Sequence, residues 1–273
     1  MIKEFAPVSV VVPCFRCTAT LERAVASAAN QTWRPAEMVL VDDGSGDATL
    51  ASMRSIQSRY GDWVKVVELP VNVGAAGARN AGWHVATQVY IAFLDSDDAW
   101  HPRKIEIQCA FMRSHPQVAL CGHLCRQLTP AESSARWWHV DAVDDAKVVI
   151  LSNLLLRHAF VTPSVMLKRS IAMRFSEGTR YMEDHRLWLD IVGAPLPTVQ
   201  LMVDLVAVYK PVYGAAGLSA DMWRMEQAEL ANYRYLHGNG KISYGLMRLL
   251  QAYSVAKYVR RLIIVHVLRR NGV

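Results

Sequence analysis

The valine-rich run Val8–Val12 (VSVVV) most constrains the fold. Its lack of clear polar alternation predicts a strand covered on both faces, and helices are the usual cover of a parallel sheet. The following residues keep that pattern. A helix is expected from Thr20, with apolar positions at 21, 24, 25, 28 and 29. A second strand is expected at 38–41, a helix near 48–59, a third strand from Val64 and a helix opened by Gly74. The apolar run 89–94 (VYIAFL) reads as a fourth strand. Strand and helix alternate at βαβ spacing, so the class is α/β, with a mostly parallel sheet flanked by helices.

In such sheets, ligands gather at the carboxyl ends of the strands. Three expected strand ends carry unusual residues: Pro13-Cys14-Phe15, Asp42-Asp43, and Asp95-Ser96-Asp97. Carboxylates crowded at a strand end repel one another and are costly to desolvate, so they need a cation, donors or open water. An Asp-x-Asp offers hard oxygen ligands suited to Mg2+ or Mn2+ held together with substrate phosphates. The competing reading is a solvated turn or helix cap, which Asp and Ser also favour. Gly74-x-x-Gly77 ahead of Arg79 is only a weak phosphate-loop signal, since the Walker lysine is missing.

A chain of 273 residues can bury a large core, and no run of 18 apolar residues interrupts it. The N-terminus lacks a signal-peptide apolar region with a small-residue cleavage site, so a cytoplasmic protein is expected. Five cysteines argue against a disulfide framework. Cys14/Cys17 and Cys121/Cys125, with His123, could be read as a zinc site, but small thiols at strand ends more commonly pack in the core. Charge is unevenly placed. The last 44 residues carry eight Lys and Arg and no acid, so of the net +6 they supply +8 and the first 229 residues −2. A basic tail on a near-neutral body points to an anionic partner.

The segments VSVVVPCF, NQTW, VDDGSGD, NVGAAGARNAG, FLDSDDAWHPRKIEIQ and MEDHRLWLDI together resemble the family 2 glycosyltransferases of GT-A fold over roughly residues 8–192. The resemblance implies an inverting, metal-dependent enzyme using a nucleotide-sugar donor. It implies that Pro13 and Phe15 line the nucleotide base and Asp43 bonds it. Arg79 is then the base or phosphate arginine, Asp97 the metal ligand, and Asp95 lies near the ribose with Ser96 beside it. Asp184, second of Glu183-Asp184, matches the catalytic base. A carboxylate at the mouth of an apolar pocket suits that task, because burial raises its pKa. The acids of 183–184 equally suit a helix start.

Residues 150–182 resemble the acceptor side, and the stretch 209–219 resembles a diphosphate loop that includes Lys210 and Ser219. Lys210 stands where the family often has arginine, and Tyr213 stands near its usual histidine. Trp100, Trp137, Trp138 and Trp188 are either sugar-stacking walls or core residues. The segment 130–148 is expected to be a lid.

The expected organisation is a GT-A, Rossmann-like domain over 1–228, with a nucleotide-sugar half to about 125 and an acceptor half beyond, then a basic helical tail at 229–273. The activity expected from the resemblance is sugar transfer from a nucleotide diphosphate donor, with UDP-sugar the expected one, to a glycan or glycolipid acceptor of lipopolysaccharide type. Rival readings are a non-catalytic nucleotide- or glycan-binding module and a nucleotidyltransferase. No nucleic-acid motif is present. The tail's apolar spacing breaks near Lys257 and Arg260, which predicts two helical pieces with a break at 255–261, lying on an anionic membrane surface.

Overall fold

The computed structural model describes residues 5–128, 138–140, 145–209 and 221–270. Two compact units result, one of residues 1–179 with 183–210 and one of 180–182 with 211–273.

The first unit is built on a sheet of nine strands among the described residues. Strands β1 (Ala6–Cys14), β2 (Pro35–Asp42), β3 (Val64–Glu68) and β4 (Tyr90–Phe93) lie in the order β3-β2-β1-β4 and are all parallel. The remaining strands are β5 (Ala99–Trp100), β6 (Leu120–Gln127), β7 (Ala146–Val148), β8 (Met166–Lys168) and β9 (Thr198–Val208). They extend the sheet past β4 as β8-β6-β9-β5. Here antiparallel pairs enter: β8 runs against both β4 and β6, and β9 against both β5 and β7. The fold is thus the expected α/β class, with its purely parallel part in the first hundred residues. Ala146–Val148, the end of the segment read as a lid, is instead held in the sheet by β9; most of 130–148 lies outside the described residues.

Alternation along the strands explains the layers. Val8, Val10 and Val12 of β1 join Met38 and Leu40 of β2 in the main core. There they meet Leu21, Ala24, Val25 and Ala28 of helix α1 (Leu21–Ala29), a face at 3.6-residue spacing. Val39 and Val41 point the other way, to Ala78 of α3 (Gly74–Val85). That second interface is tight enough to dictate a residue: a Cβ on Gly82 would lie 2.4 Å from Val11 Cγ1 and 3.1 Å from Val41 Cγ2. Helices α2 (Thr49–Tyr60), α4 (Lys104–Ser114), α5 (Leu151–Leu156) and α6 (Glu183–Gly193) complete the unit.

Two tryptophans weighed as sugar platforms are core residues. Trp100 is fully buried, donates Nε1 to the Pro163 carbonyl (2.9 Å) and carries the Lys104 ammonium over its ring. Trp188 is 1% exposed and packs edge-on against Phe160 and Phe175, so it offers no face to an acceptor. Trp138 is half-buried and donates Nε1 to the Asp204 carbonyl. Trp137, Lys210, Tyr213 and Ser219 lie outside the described residues.

The second unit contains α7 (Met222–Gly238) and α8 (Tyr244–Arg270). The two pieces expected on either side of 255–261 are one helix: α8 runs unbroken through that stretch, and the break in the tail falls at 239–243. The reason is a pair of acids that tail-only periodicity could not reveal. Glu226 and Glu229 of α7 are buried and pair with Arg261 (3.3 Å) and Lys257 (3.4 Å), so these charges belong on the packed face. Tyr233 also donates its hydroxyl to Glu229 (2.7 Å).

Replacing Gly82 by Ala should lower unfolding stability by about 1–3 kcal/mol, because the valines behind it are fixed in the sheet. Urea unfolding measures this; an unchanged midpoint and slope would show that α3 can lift from the sheet without cost.

Candidate active site

The parallel order β2-β1-β4 puts three strand ends on one edge. Cys14 is in register with Asp42, and Val11 with Phe93, two residues before Asp95. Each end then turns sharply. After β2, Gly44 adopts a φ of +61°, and a Cβ there would sit 2.8 Å from the backbone at Val71 and Asn72. Only glycine meets both demands cheaply. The turn lets Asp43 accept from the backbone N–H groups of Val73 (2.7 Å) and Gly74 (3.0 Å) and from the Asn72 amide (3.0 Å). Asp43 thereby caps α3 and is buried beside the strand end. After β1, Pro13 is half-buried and Phe15 is 44% exposed, with the Arg16 guanidinium 5.1 Å from its ring centre.

Beyond β4, the ligand oxygens of Asp95, Asp97 and Asp98 lie within 4.8 Å of one another, the one group among the described residues able to hold a metal ion. Their hard carboxylate oxygens fit Mn2+ or Mg2+. The cysteines form no such group: Cys14, Cys17, Cys109 and Cys121 are buried as free thiols and Cys125 is exposed. Asp98 belongs to the cluster although the Asp-x-Asp reading passed over it; adjacency to Asp97 was the available signal. Arg23 donates to the Asp97 carbonyl and lies 3.9 Å over the Tyr209 ring, two contacts with no sequence signature.

Arg79 joins this cluster to the distant Glu183-Asp184 pair. Its guanidinium is 5% exposed, with Nη2 on Asp95 (2.8 Å) and Nη1 on Glu183 (3.0 Å). Burial opposes its charge, but Asp95 and Glu183 outweigh burial and raise its pKa. Glu183 behaves differently. Burial, then the neighbouring Asp184, outweighs the pull of Arg79 and lifts its pKa to about 7. The carboxyl that burial raises is thus Glu183. Asp184, at the start of α6, is oriented by the Thr162 hydroxyl (2.9 Å) and the His185 backbone N–H (2.7 Å). Thr162 is one of the residues the sequence could not supply, lying 22 positions away in a short 3-10 turn.

These residues can bind a cation at one strand end and hold an oriented carboxylate beside the same arginine. The chain is similar to known proteins. The model of the family described as "Glycosyl transferase family 2" matches residues 9–171, more than half of the chain. The putative glycosyltransferase EpsE of Bacillus subtilis is 28% identical over 183 residues, covering 67% of this chain and 65% of EpsE. The Escherichia coli enzyme WfgD, a UDP-Glc:alpha-D-GlcNAc-diphosphoundecaprenol beta-1,3-glucosyltransferase, is 27% identical over 68% of this chain and 69% of its own length. Among solved structures, S. aureus TarS 1-349 in complex with UDP superposes with a TM-score of 0.65 at 19% identity, covering 91% of this chain and 70% of that one. The Pyrobaculum calidifontis mannosyltransferase PcManGT, solved with GDP-Man and Mn2+, gives 0.65 at 16% identity, covering 97% and 80%.

A test of the electrostatics follows from the sign of the Glu183 shift. A carboxyl whose folded pKa exceeds its unfolded value of 4.5 supports the fold when protonated and loses that support as pH rises to about 7. Relative to Glu183→Gln, the wild type should therefore lose on the order of 1–3 kcal/mol between about pH 4.5 and pH 7. Parallel stability curves for the two proteins would contradict the assignment.

Proposed function

Since the chain belongs to the family 2 glycosyltransferases and has the GT-A fold, we propose that it transfers one sugar, with inversion, from a UDP-sugar to a lipid-linked glycan. The observation that carries this reading is the Asp95–Arg79–Glu183 bridge, which ties the acidic strand end to the residue preceding the candidate base Asp184. The donor is supported by the UDP complex of TarS and the acceptor by the name of WfgD; the GDP-Man complex of PcManGT makes GDP the alternative nucleotide.

Asp97, Asp95 and Asp98 would hold Mn2+ or Mg2+, which when bound neutralises the diphosphate as it leaves. Pro13 and Phe15 form the wall for the base, with Asp43 at its edge and Ser96 beside the ribose. Both Nη atoms of Arg79 are committed to carboxylates, so it serves the donor by fixing Asp95. Asp184 takes the proton of the acceptor hydroxyl opposite the leaving group. Thr162 and the His185 N–H hold the carboxylate for that transfer. Glu183 sets the place of Arg79, and Lys210 and Ser219 belong to the loop that grips the diphosphate.

Asp184→Asn tests the core of the proposal. The amide keeps the shape and loses the proton acceptor, so transfer should fall by about 10²–10⁴-fold while donor affinity changes little. Full transfer activity in this variant would rule out the assignment.

The enzyme is further proposed to work at the cytoplasmic face of a membrane, through α8. No described helix is long and apolar enough to cross a membrane. Yet Leu246, Leu249, Tyr253, Val255, Val259, Leu262, Ile263 and Ile264 are each at least 38% exposed. Arg248 and Arg260 stand among them, and no acid follows Glu229. An apolar and basic surface of this kind suits the headgroup region of anionic lipid. Lys257 and Arg261 are spent on Glu229 and Glu226, so fewer than eight charges contribute. Leu249→Glu with Tyr253→Glu should abolish co-sedimentation with vesicles containing phosphatidylglycerol and leave donor hydrolysis unchanged. Equal sedimentation of variant and wild type would refute the docking surface.

A further inference from the structure

We infer that Arg23, with the Tyr209 ring stacked on it, is a positioning residue of the metal site. It fixes the peptide of Asp97, so that the Asp97 carboxylate meets a divalent cation in one orientation. The inference rests on the metal assignment proposed above and adds to it two residues that offer no carboxylate.

The placement comes from α1. Arg23 and Ser27 are four residues apart on one face of this helix, and Gln31 continues the row just past its end. All three bond the chain that leaves β4. Ser27 Oγ accepts from the Trp100 N–H (3.1 Å). The Gln31 side chain donates to the His101 carbonyl (2.9 Å) and accepts from the Ile105 N–H (2.9 Å). Arg23 makes the first tie of the row, donating Nη2 to the Asp97 carbonyl. The chain is thus laced to α1 from Asp97 to Ile105. Of the three, Arg23 is the one that bonds the peptide of a candidate metal ligand.

Tyr209 holds Arg23 in that pose. The guanidinium carbon lies 3.9 Å from the centre of its ring, and the Tyr209 backbone N–H reaches Asp98 Oδ1 (3.4 Å). Tyr209 directly follows β9, whose Ala207 pairs with Ala99 of β5. The acidic turn between them is short, with the Asp98 N–H returning to the Asp95 carbonyl (3.1 Å). Arg23, Asp97, Asp98 and Tyr209 therefore close a ring of contacts around one side of that turn.

Packing alone does not account for an arginine here. Arg23 is half-buried, and its Nε is buried with no hydrogen-bond partner among the described residues. An unpaired buried donor is costly, and an apolar side chain of similar length would avoid that cost. Nor does charge account for it, because a guanidinium close to a cation repels it. What the guanidinium supplies is orientation. A charge-assisted bond commits the Asp97 peptide oxygen to α1, so the carboxylate is the group that Asp97 presents to the cation. Groups that orient a metal's ligands are worth about 10–100-fold in metal affinity.

Titration of the full chain with Mn2+ at saturating UDP, followed by loss of the free-Mn2+ signal in electron paramagnetic resonance, measures cation binding without turnover. Arg23→Met should raise the Mn2+ dissociation constant about tenfold or more. Tyr209→Leu should act in the same direction, and Tyr209→Phe, which keeps the ring, should bind as wild type does. Combining Arg23→Met with Tyr209→Leu should cost no more than the worse single change, because both break one contact. Ser27→Ala breaks a tie that touches no candidate ligand, so it should lower the melting temperature and leave Mn2+ affinity unchanged. Binding by Arg23→Met as tight as wild type, or tighter as charge repulsion alone requires, would overturn the proposal. So would an equal loss of affinity in Ser27→Ala. If Arg23→Met fails to fold, Tyr209→Leu against Tyr209→Phe gives the same answer, and equal affinities there overturn the proposal. A wild type that takes up no Mn2+ would overturn the metal assignment and this inference together, whereas equal uptake by wild type and variants overturns this inference alone.

Discussion

Three carboxylates at one strand end set the terms for the rest of the first unit. Asp95, Asp97 and Asp98 crowd within 4.8 Å, and mutual repulsion there must be offset. Part of the offset is internal: Arg79, buried on α3, reaches Asp95. A guanidinium buried so deeply needs more than one partner, and Glu183 supplies the second. The same requirement that stabilises the acidic end therefore draws the start of α6 to it and brings Asp184 to the site. α3 in turn can hold Arg79 in place only because Gly82 lets it sit close on β1 and β2 and Asp43 caps its first turn.

Much of this was readable in the sequence, because strong local patterns drove it. The valine run, the small-residue helix after Gly74 and the acidic strand ends each depend on residues adjacent in the chain, and β1 to β4 with α1 to α3 emerged close to their expected places. The candidate carboxylates 95, 97 and 184 were named from the resemblance, and the structure pairs Arg79 with Asp95 and with Glu183, the neighbour of Asp184. What escaped depends on pairs far apart in sequence. Glu183 meets Arg79 across 104 positions, and Thr162 meets Asp184 across 22. Neither partner has a periodicity that announces the other. The tryptophans show the same limit from another side: Trp188 and Trp100 have the composition of a sugar platform and the burial of a core.

The second unit repeats the lesson with charge. Read alone, Lys257 and Arg260 break the apolar arc of the tail, and a helix break was the natural inference. Buried Glu226 and Glu229 on α7 make Lys257 and Arg261 acceptable on the packed face of an unbroken α8, while Arg260 is exposed. This pairing also sets the rotation of α8, and with it the residues left outward, from Leu249 to Ile263.

The central claim is that the acidic strand end, held by Arg79, is the place where a divalent cation and a nucleotide diphosphate meet. Isothermal titration of UDP into the protein, once with Mn2+ and once with a chelator, tests it most directly. The account predicts saturable binding with Mn2+ that weakens at least tenfold when the metal is removed. Equal affinity under both conditions would contradict it.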